Sequence, residues 1–135
     1  MFGMARSGKV LVAHFFRLAS GREPVRDWIR DLPQEDRKLI GSDLMKVEFG
    51  WPCGPPLCAP LTDYPGLYEV RSNLTGGRIA RVFFSVSGGT MVLLHGFVKK
   101  TQASPVKELK LAARRLKAYK SEPQVKEKKK SGRGF

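Results

Sequence analysis

The chain has 135 residues, of which 41% are hydrophobic, and carries a formal net charge of +13 at pH 7. This length fits one compact domain with a short extension, and the apolar content excludes global disorder. Neither a membrane-length apolar run nor a secretory signal is visible, so we expect a cytoplasmic protein with no membrane partner.

The first half predicts one strand followed by two helices. Residues 9–16 are rich in β-branched and aromatic side chains, which favours a strand. Pro24 suits the first turn of a helix, and Pro33 ends that helix and begins another that extends to Gly50. Apolar residues recur at spacings of three and four, as one buried helical face requires: Val25, Trp28, Ile29, Leu32, Ile40, Leu44 and Val47.

The segment from Trp51 to Pro65 contains five prolines. Proline interrupts helices and is confined to the edges of sheets, so we predict an ordered crossing loop. Cys53 and Cys58 lie in this loop. Two ligands alone do not form a zinc site, and no paired histidines follow at a useful spacing. We therefore expect two free thiols and no metal or other cofactor.

Three further strands are predicted at about 67–72, 78–86 and 91–98, joined by glycine pairs that suit hairpin turns. Ser104-Pro105 then begins a helix whose buried stripe we expect to be Val106, Leu109, Ala113 and Leu116. The order β-α-α-β-β-β-α predicts an α+β domain with an antiparallel sheet and its helices on one face. We place this domain at residues 1–119, followed by a basic, disordered tail at 120–135.

The positive charge is confined to the second half of the chain. Residues 1–70 carry nine basic and nine acidic side chains, whereas residues 71–119 carry ten basic and one acidic. The strands hold most of the ordered cations: Arg71, Arg78, Arg81, Lys99 and Lys100. Because Glu69 is the only acid beside them, we expect a basic face that binds a phosphate backbone.

Strand alternation places Arg71 almost opposite Arg81 across the first hairpin. Two adjacent arginines repel unless an anion or Glu69 lies between them. A two-residue turn at Gly88-Gly89 would then place Arg81 opposite Gly96. Three alternatives remain open. Glu69 is either a partner of Arg71 or a catalytic base, and His95 is either an ordinary strand histidine or a catalyst. The Lys99-Lys100 pair serves either catalysis or solubility.

The stretches Leu67-Tyr-Glu-Val-Arg-Ser-Asn-Leu, Gly76-Gly-Arg-Ile-Ala-Arg-Val and Leu93-Leu-His-Gly-Phe-Val-Lys-Lys-Thr-Gln follow one another in this order. Together they resemble the phage-derived HigB-like branch of the RelE/ParE toxin superfamily, over about residues 9–118. The resemblance implies the toxin of a type II toxin–antitoxin system. The superfamily fold packs two N-terminal helices and a C-terminal helix on a curved antiparallel sheet.

The resemblance also implies an activity and partners. Toxins of this kind commonly act as metal-independent mRNA endonucleases on ribosome-bound mRNA, and their partner is a helix-turn-helix (HigA-like) antitoxin through which they oligomerise. The catalytic set implied is Arg71, Arg81, Lys99 and Lys100, with the arginines clamping the scissile phosphate.

Two further groups of residues complete the expected site. We expect RNA binding by Arg78, Phe83, Lys107 and Arg114, with Phe83 as the exposed aromatic of the arginine face. Several relatives carry Tyr or His where the last strand here ends in Lys-Lys-Thr-Gln. The orienting or proton-transfer residue is therefore open among Glu69, His95 and Tyr119.

Two other functions fit the same residues. A gyrase-poisoning, ParE-like toxin would act through protein binding and leave RNA intact. A non-catalytic nucleic-acid-binding module would use the basic second half alone, and its binding would depend steeply on salt.

Overall fold

A five-stranded sheet lies between helices on both of its faces. The computed structural model describes residues 8–99 and 105–121. The strands are β1 (Val12–Phe15), β2 (Cys58–Pro60), β3 (Tyr68–Asn73), β4 (Ile79–Ser87) and β5 (Thr90–Lys99). The helices are α1 (Pro24–Arg30), α2 (Gln34–Gly50) and α3 (Val106–Ser121), and a short 3-10 turn spans Thr75–Gly77.

The α+β class is confirmed, but the sheet is mixed and has one strand more than predicted. Its order is β1-β5-β4-β3-β2, and β1 pairs with β5 in parallel while all other pairs are antiparallel. The additional strand is β2, inside the proline-rich loop. It pairs with β3 at the edge of the sheet, where Pro60 can lack its N–H without breaking an inner ladder.

The prediction that all helices share one face of the sheet is wrong. Helices α1 and α2 cover one face, here the α1–α2 face, where Val82 and Phe84 are buried with Ile40. Helix α3 covers part of the other, here the α3 face, where Phe83 is buried with Leu116. Because β4 buries one phenylalanine on each side, Phe83 and Phe84, each face needs a helical layer to exclude water.

The β4–β5 hairpin has the predicted two-residue turn. Ser87 pairs with Thr90, and Gly88 adopts a φ of 61°, which suits glycine. A register shift then follows between Phe83 and Phe84. One additional residue in β5, Leu94, shifts every later pair by one position.

This bulge overturns the predicted pairing of Arg81. Its partner across β5 is Phe97, and Gly96 pairs with Val82 instead. Gly96 faces α1, where the indole of Trp28 lies so close that no Cβ would fit. The glycine therefore serves the packing of α1 on the sheet and does not provide access to Arg81.

The prediction of free thiols is also wrong, because Cys53 and Cys58 form a disulfide with a Cα–Cα distance of 6.0 Å. The loop that follows α2 turns back within five residues and brings the two Cα atoms into the bonding range. Cys58 is buried and begins β2, so the disulfide joins the end of the α2 region to the edge strand.

The predicted disordered tail lies mostly outside the described residues. Helix α3 continues to Ser121, so residues 120 and 121 are helical, and residues 122–135 are not described. Within the described residues, no helix has the length and apolar character needed to cross a membrane.

Candidate anion-binding face

The strand registers place three of the five predicted strand cations in rows on the α3 face. Arg71 pairs with Arg81 and Arg81 with Phe97, forming one row across β3, β4 and β5. The predicted juxtaposition of the two arginines is confirmed. Lys99 lies in the next row, opposite Ile79, on the side toward the Thr75–Gly77 turn. We call Arg71, Arg81 and Lys99 the cationic face.

Arg81 is held rigidly by an acid and an aromatic ring. Its Nε and Nη2 lie 2.7 and 2.6 Å from one carboxylate oxygen of Glu69, and its guanidinium lies 5.9 Å from the Phe83 ring centroid. The side chain is only 16% exposed. Its buried Nη1 has no hydrogen-bond partner among the described residues. Since buried donors are normally satisfied, this nitrogen can still donate to an acceptor that lies outside the described residues.

Arg71 differs from Arg81, although the two face each other. Its side chain is exposed and makes no ion pair or hydrogen bond with any residue that the structure describes. Its backbone is fixed, because its N–H donates to the Leu57 carbonyl at 2.9 Å. The predicted pairing of Glu69 with Arg71 is wrong: Glu69 reaches diagonally across the ladder to Arg81. Arg71 thus presents its guanidinium to solvent beside a second, fixed one.

The two lysines can be placed only in part. Lys99 is the last residue of β5 and is half-buried. Lys100 lies outside the described residues, so its predicted catalytic position stays a prediction.

Aromatic rings form the floor beside Arg81. Phe83 is completely buried beneath α3, so the expectation that it is exposed for base stacking is wrong. Phe97 is half-buried and packs edge-on against Phe83, with ring centroids 5.4 Å apart. Phe97 was missed as a site residue because the bulge that aligns it with Arg81 leaves no mark in the strand alternation.

His95 connects α3 to the sheet. Its Nε2 lies 2.5 Å from a carboxylate oxygen of Glu108, and its Nδ1 lies 3.5 Å from Nη1 of Arg115. The same Arg115 nitrogen donates to the Leu94 carbonyl at 2.8 Å. Burial lowers the pKa of His95, and Arg115 adds to this effect while Glu108 opposes it. Since both ring nitrogens face α3 side chains, the geometry favours a structural role over proton transfer.

The lowered pKa predicts how stability depends on pH. The ordinary pKa of a histidine is about 6.5. At pH values below this, His95 binds a proton more readily in the unfolded chain than in the fold. The contribution of neutral His95 to the free energy of unfolding is therefore complete above about pH 6.5 and is lost as the pH falls below that value. We expect chemical denaturation to show a smaller pH-dependent loss between pH 7.5 and 5 for His95→Gln than for the wild type. Identical losses would contradict this role.

Arg78 is not part of the cationic face. It forms a bidentate ion pair with the buried Asp36 of α2, at 2.9 and 3.0 Å. Hydrogen bonding to Arg78 holds the pKa of the Asp36 carboxyl below its usual range. The guanidinium predicted to bind RNA thus ties the Thr75–Gly77 turn to α2, on the other side of the sheet.

Helix α3 is rotated relative to the predicted stripe. Val106 is 45% exposed, whereas Ala112 and Tyr119 are buried with Leu116. Tyr119 is only 3% exposed and packs in the core of the α3 face, which does not bring it to solvent beside the arginines. Lys107 and Arg114, predicted to bind RNA, are both exposed.

A comparison with known proteins gives the family. A search of curated proteins finds no match to this chain. The family model described as phage-derived protein Gp49-like matches residues 27–117, from α1 through most of α3, and this span includes the whole cationic face. The chain therefore belongs to the phage-derived Gp49-like family, a family of toxin–antitoxin toxins related to RelE/ParE.

Proposed function

We propose that the protein is a HigB-like toxin that cleaves ribosome-bound mRNA in the cytoplasm without a metal, and that a helix-turn-helix antitoxin neutralises it. The observation that carries this proposal is the pairing of Arg71 and Arg81, with Nη1 of Arg81 unsatisfied. Glu69 neutralises Arg81, whereas Arg71 has no acidic partner among the described residues, so a phosphate at this pair would meet one uncompensated cation beside one fixed guanidinium.

The chemistry that suits this arrangement is attack of a ribose 2′-OH on the adjacent phosphorus. The transition state carries additional negative charge on the phosphate oxygens, which fixed hydrogen-bond donors stabilise. Arg81, held by Glu69, supplies a preorganised donor, and the exposed Arg71 completes the clamp. Glu69 acts as a positioning residue, because one of its oxygens already accepts two bonds from Arg81.

Proton transfer falls to the basic end of β5. Lys99 lies one row from the arginines, so its amine can reach a phosphate that the arginines hold. We assign Lys99, together with Lys100, to exchange protons with the 2′-OH and the leaving 5′-oxygen. Lys107 and Arg114 are exposed on α3 and would bind the RNA backbone beyond the cleavage site.

Brief induction of the protein in growing cells tests this function. We expect new RNA 5′ ends to accumulate within coding regions of translated messages, and plasmid supercoiling to stay unchanged. Blocking translation initiation on a reporter message should protect that message if cleavage occurs on the ribosome. Intact transcripts with broken or relaxed DNA would instead establish gyrase poisoning. Intact RNA and DNA would leave only a binding module.

A further inference from the structure

A concave surface lies between α3 and the loop that precedes β3, and it includes no residue of the cationic face. Its volume is about 270 Å³. The walls are apolar and come from both elements: Tyr64, Pro65, Leu67, Ala113 and Leu116. The proposed RNA chemistry uses none of these residues.

The loop wall of this groove is a fixed structure. Tyr64 donates its N–H to Leu61, and Leu67 donates to Tyr64, so the loop is a closed turn. Gly66 has a φ of 89°, which favours glycine, and its carbonyl accepts a hydrogen bond from Ser85 of β4. The groove is therefore shaped in advance, and a partner would bind without first ordering the loop.

The size and lining of the groove indicate what it holds. Small-molecule sites usually have volumes of roughly 300–1,000 Å³ and several converging polar groups. This groove is smaller, and its walls are mainly aliphatic. One or two apolar side chains of another protein fit that description better than a nucleotide, whose base and ribose would need several polar partners in the wall.

Charge at the rim indicates the character of the partner. Lys117 and Lys120 line the groove on its α3 side, opposed by the single acid Asp63. The exposed face of α3 continues this charge at spacings of three and four: Lys107, Lys110, Arg114 and Lys117. A partner segment that follows α3 into the groove must therefore be acidic.

We propose that this groove and the cationic stripe of α3 bind an acidic segment of the antitoxin, which inserts one or two apolar side chains between Tyr64 and Ala113. This inference rests on the proposed function only in taking the partner to be the antitoxin. A segment on α3 would also cover Lys107 and Arg114, and so would exclude RNA from them.

The experiment measures binding of the purified chain to the purified product of the reading frame adjacent to its gene. Lys117→Glu reverses a charge at the rim, and Ala113→Met fills the groove. Each change is expected to raise Kd about tenfold or more. Lys38→Glu, an exposed lysine on α2, is the matched control and should leave Kd within about twofold of the wild-type value.

Thermal melting must first show that the variants are folded, and Lys117→Glu, at an exposed position, provides the test if Ala113→Met unfolds. An unchanged Kd for folded Lys117→Glu would overturn the proposal, as would a product that does not bind the wild type. The proposal would also be overturned if Lys117→Glu weakened the binding of a ten-nucleotide RNA but left the binding of the product unchanged. RNA cleavage in induced cells is measured separately, so failure here does not count against the endonuclease.

Discussion

Replacing Arg71 with alanine is expected to lower RNA cleavage by roughly 10²–10³-fold, the usual cost of removing one donor that stabilises a developing oxyanion. Stability should change by no more than about 0.5 kcal/mol. The reason is that the Arg71 side chain is exposed and bonds to no described residue, while its backbone N–H still donates to Leu57 after the change. Activity and fold are thus separable at this position.

The measurement combines growth arrest, RNA end mapping and thermal melting of the purified variant. Arg22→Ala is the matched control, because the Arg22 side chain is 72% exposed, lies before α1 and, among the described residues, makes only a 3.6 Å ion pair with Asp27. The control should arrest growth as the wild type does. A folded Arg71→Ala variant that cleaves RNA at the wild-type rate would refute the phosphate clamp.

The local elements of the fold could be predicted from the sequence, whereas their long-range arrangement could not. Proline positions and apolar spacing located α1 and α2, and glycine pairs located the hairpins. The parallel pairing of β1 with β5 joins residues about 78 positions apart, as for Val12 and Thr90, and no local pattern encodes it. Strand β2 was hidden because its pairing depends on an edge position that tolerates Pro60.

In the candidate site, too, the local features could be predicted from the sequence and the long-range ones could not. The pairing of Arg71 with Arg81 followed from the first hairpin, whose register is set by a short turn. The bulge that brings Phe97 beside Arg81 could not be predicted, because one additional residue in a strand that is apolar on both faces leaves the pattern unchanged. The bond between His95 and Glu108 depends on where α3 packs, which only the tertiary structure determines.

Replacing Arg81 with alanine is expected to destabilise the fold, in addition to any effect on catalysis. Glu69 is 8% exposed, and both members of the pair are largely buried. Removing Arg81 leaves the Glu69 carboxylate without its partner, which costs about 3 kcal/mol, the lower end for a buried pair because some water reaches it. Loss of toxicity in this variant therefore does not by itself show a catalytic role.

A double variant separates the two effects. Replacing both members, as in Glu69→Leu with Arg81→Met, removes the unpaired charge and should restore most of the free energy of unfolding. Because the fixed guanidinium is still absent, this stable double variant should neither arrest growth nor cleave RNA. Urea denaturation of the single and double variants measures the coupling between the two residues. A stable double variant that still cleaves RNA would show that Arg81 only neutralises Glu69, and the clamp would then reduce to Arg71 and Lys99.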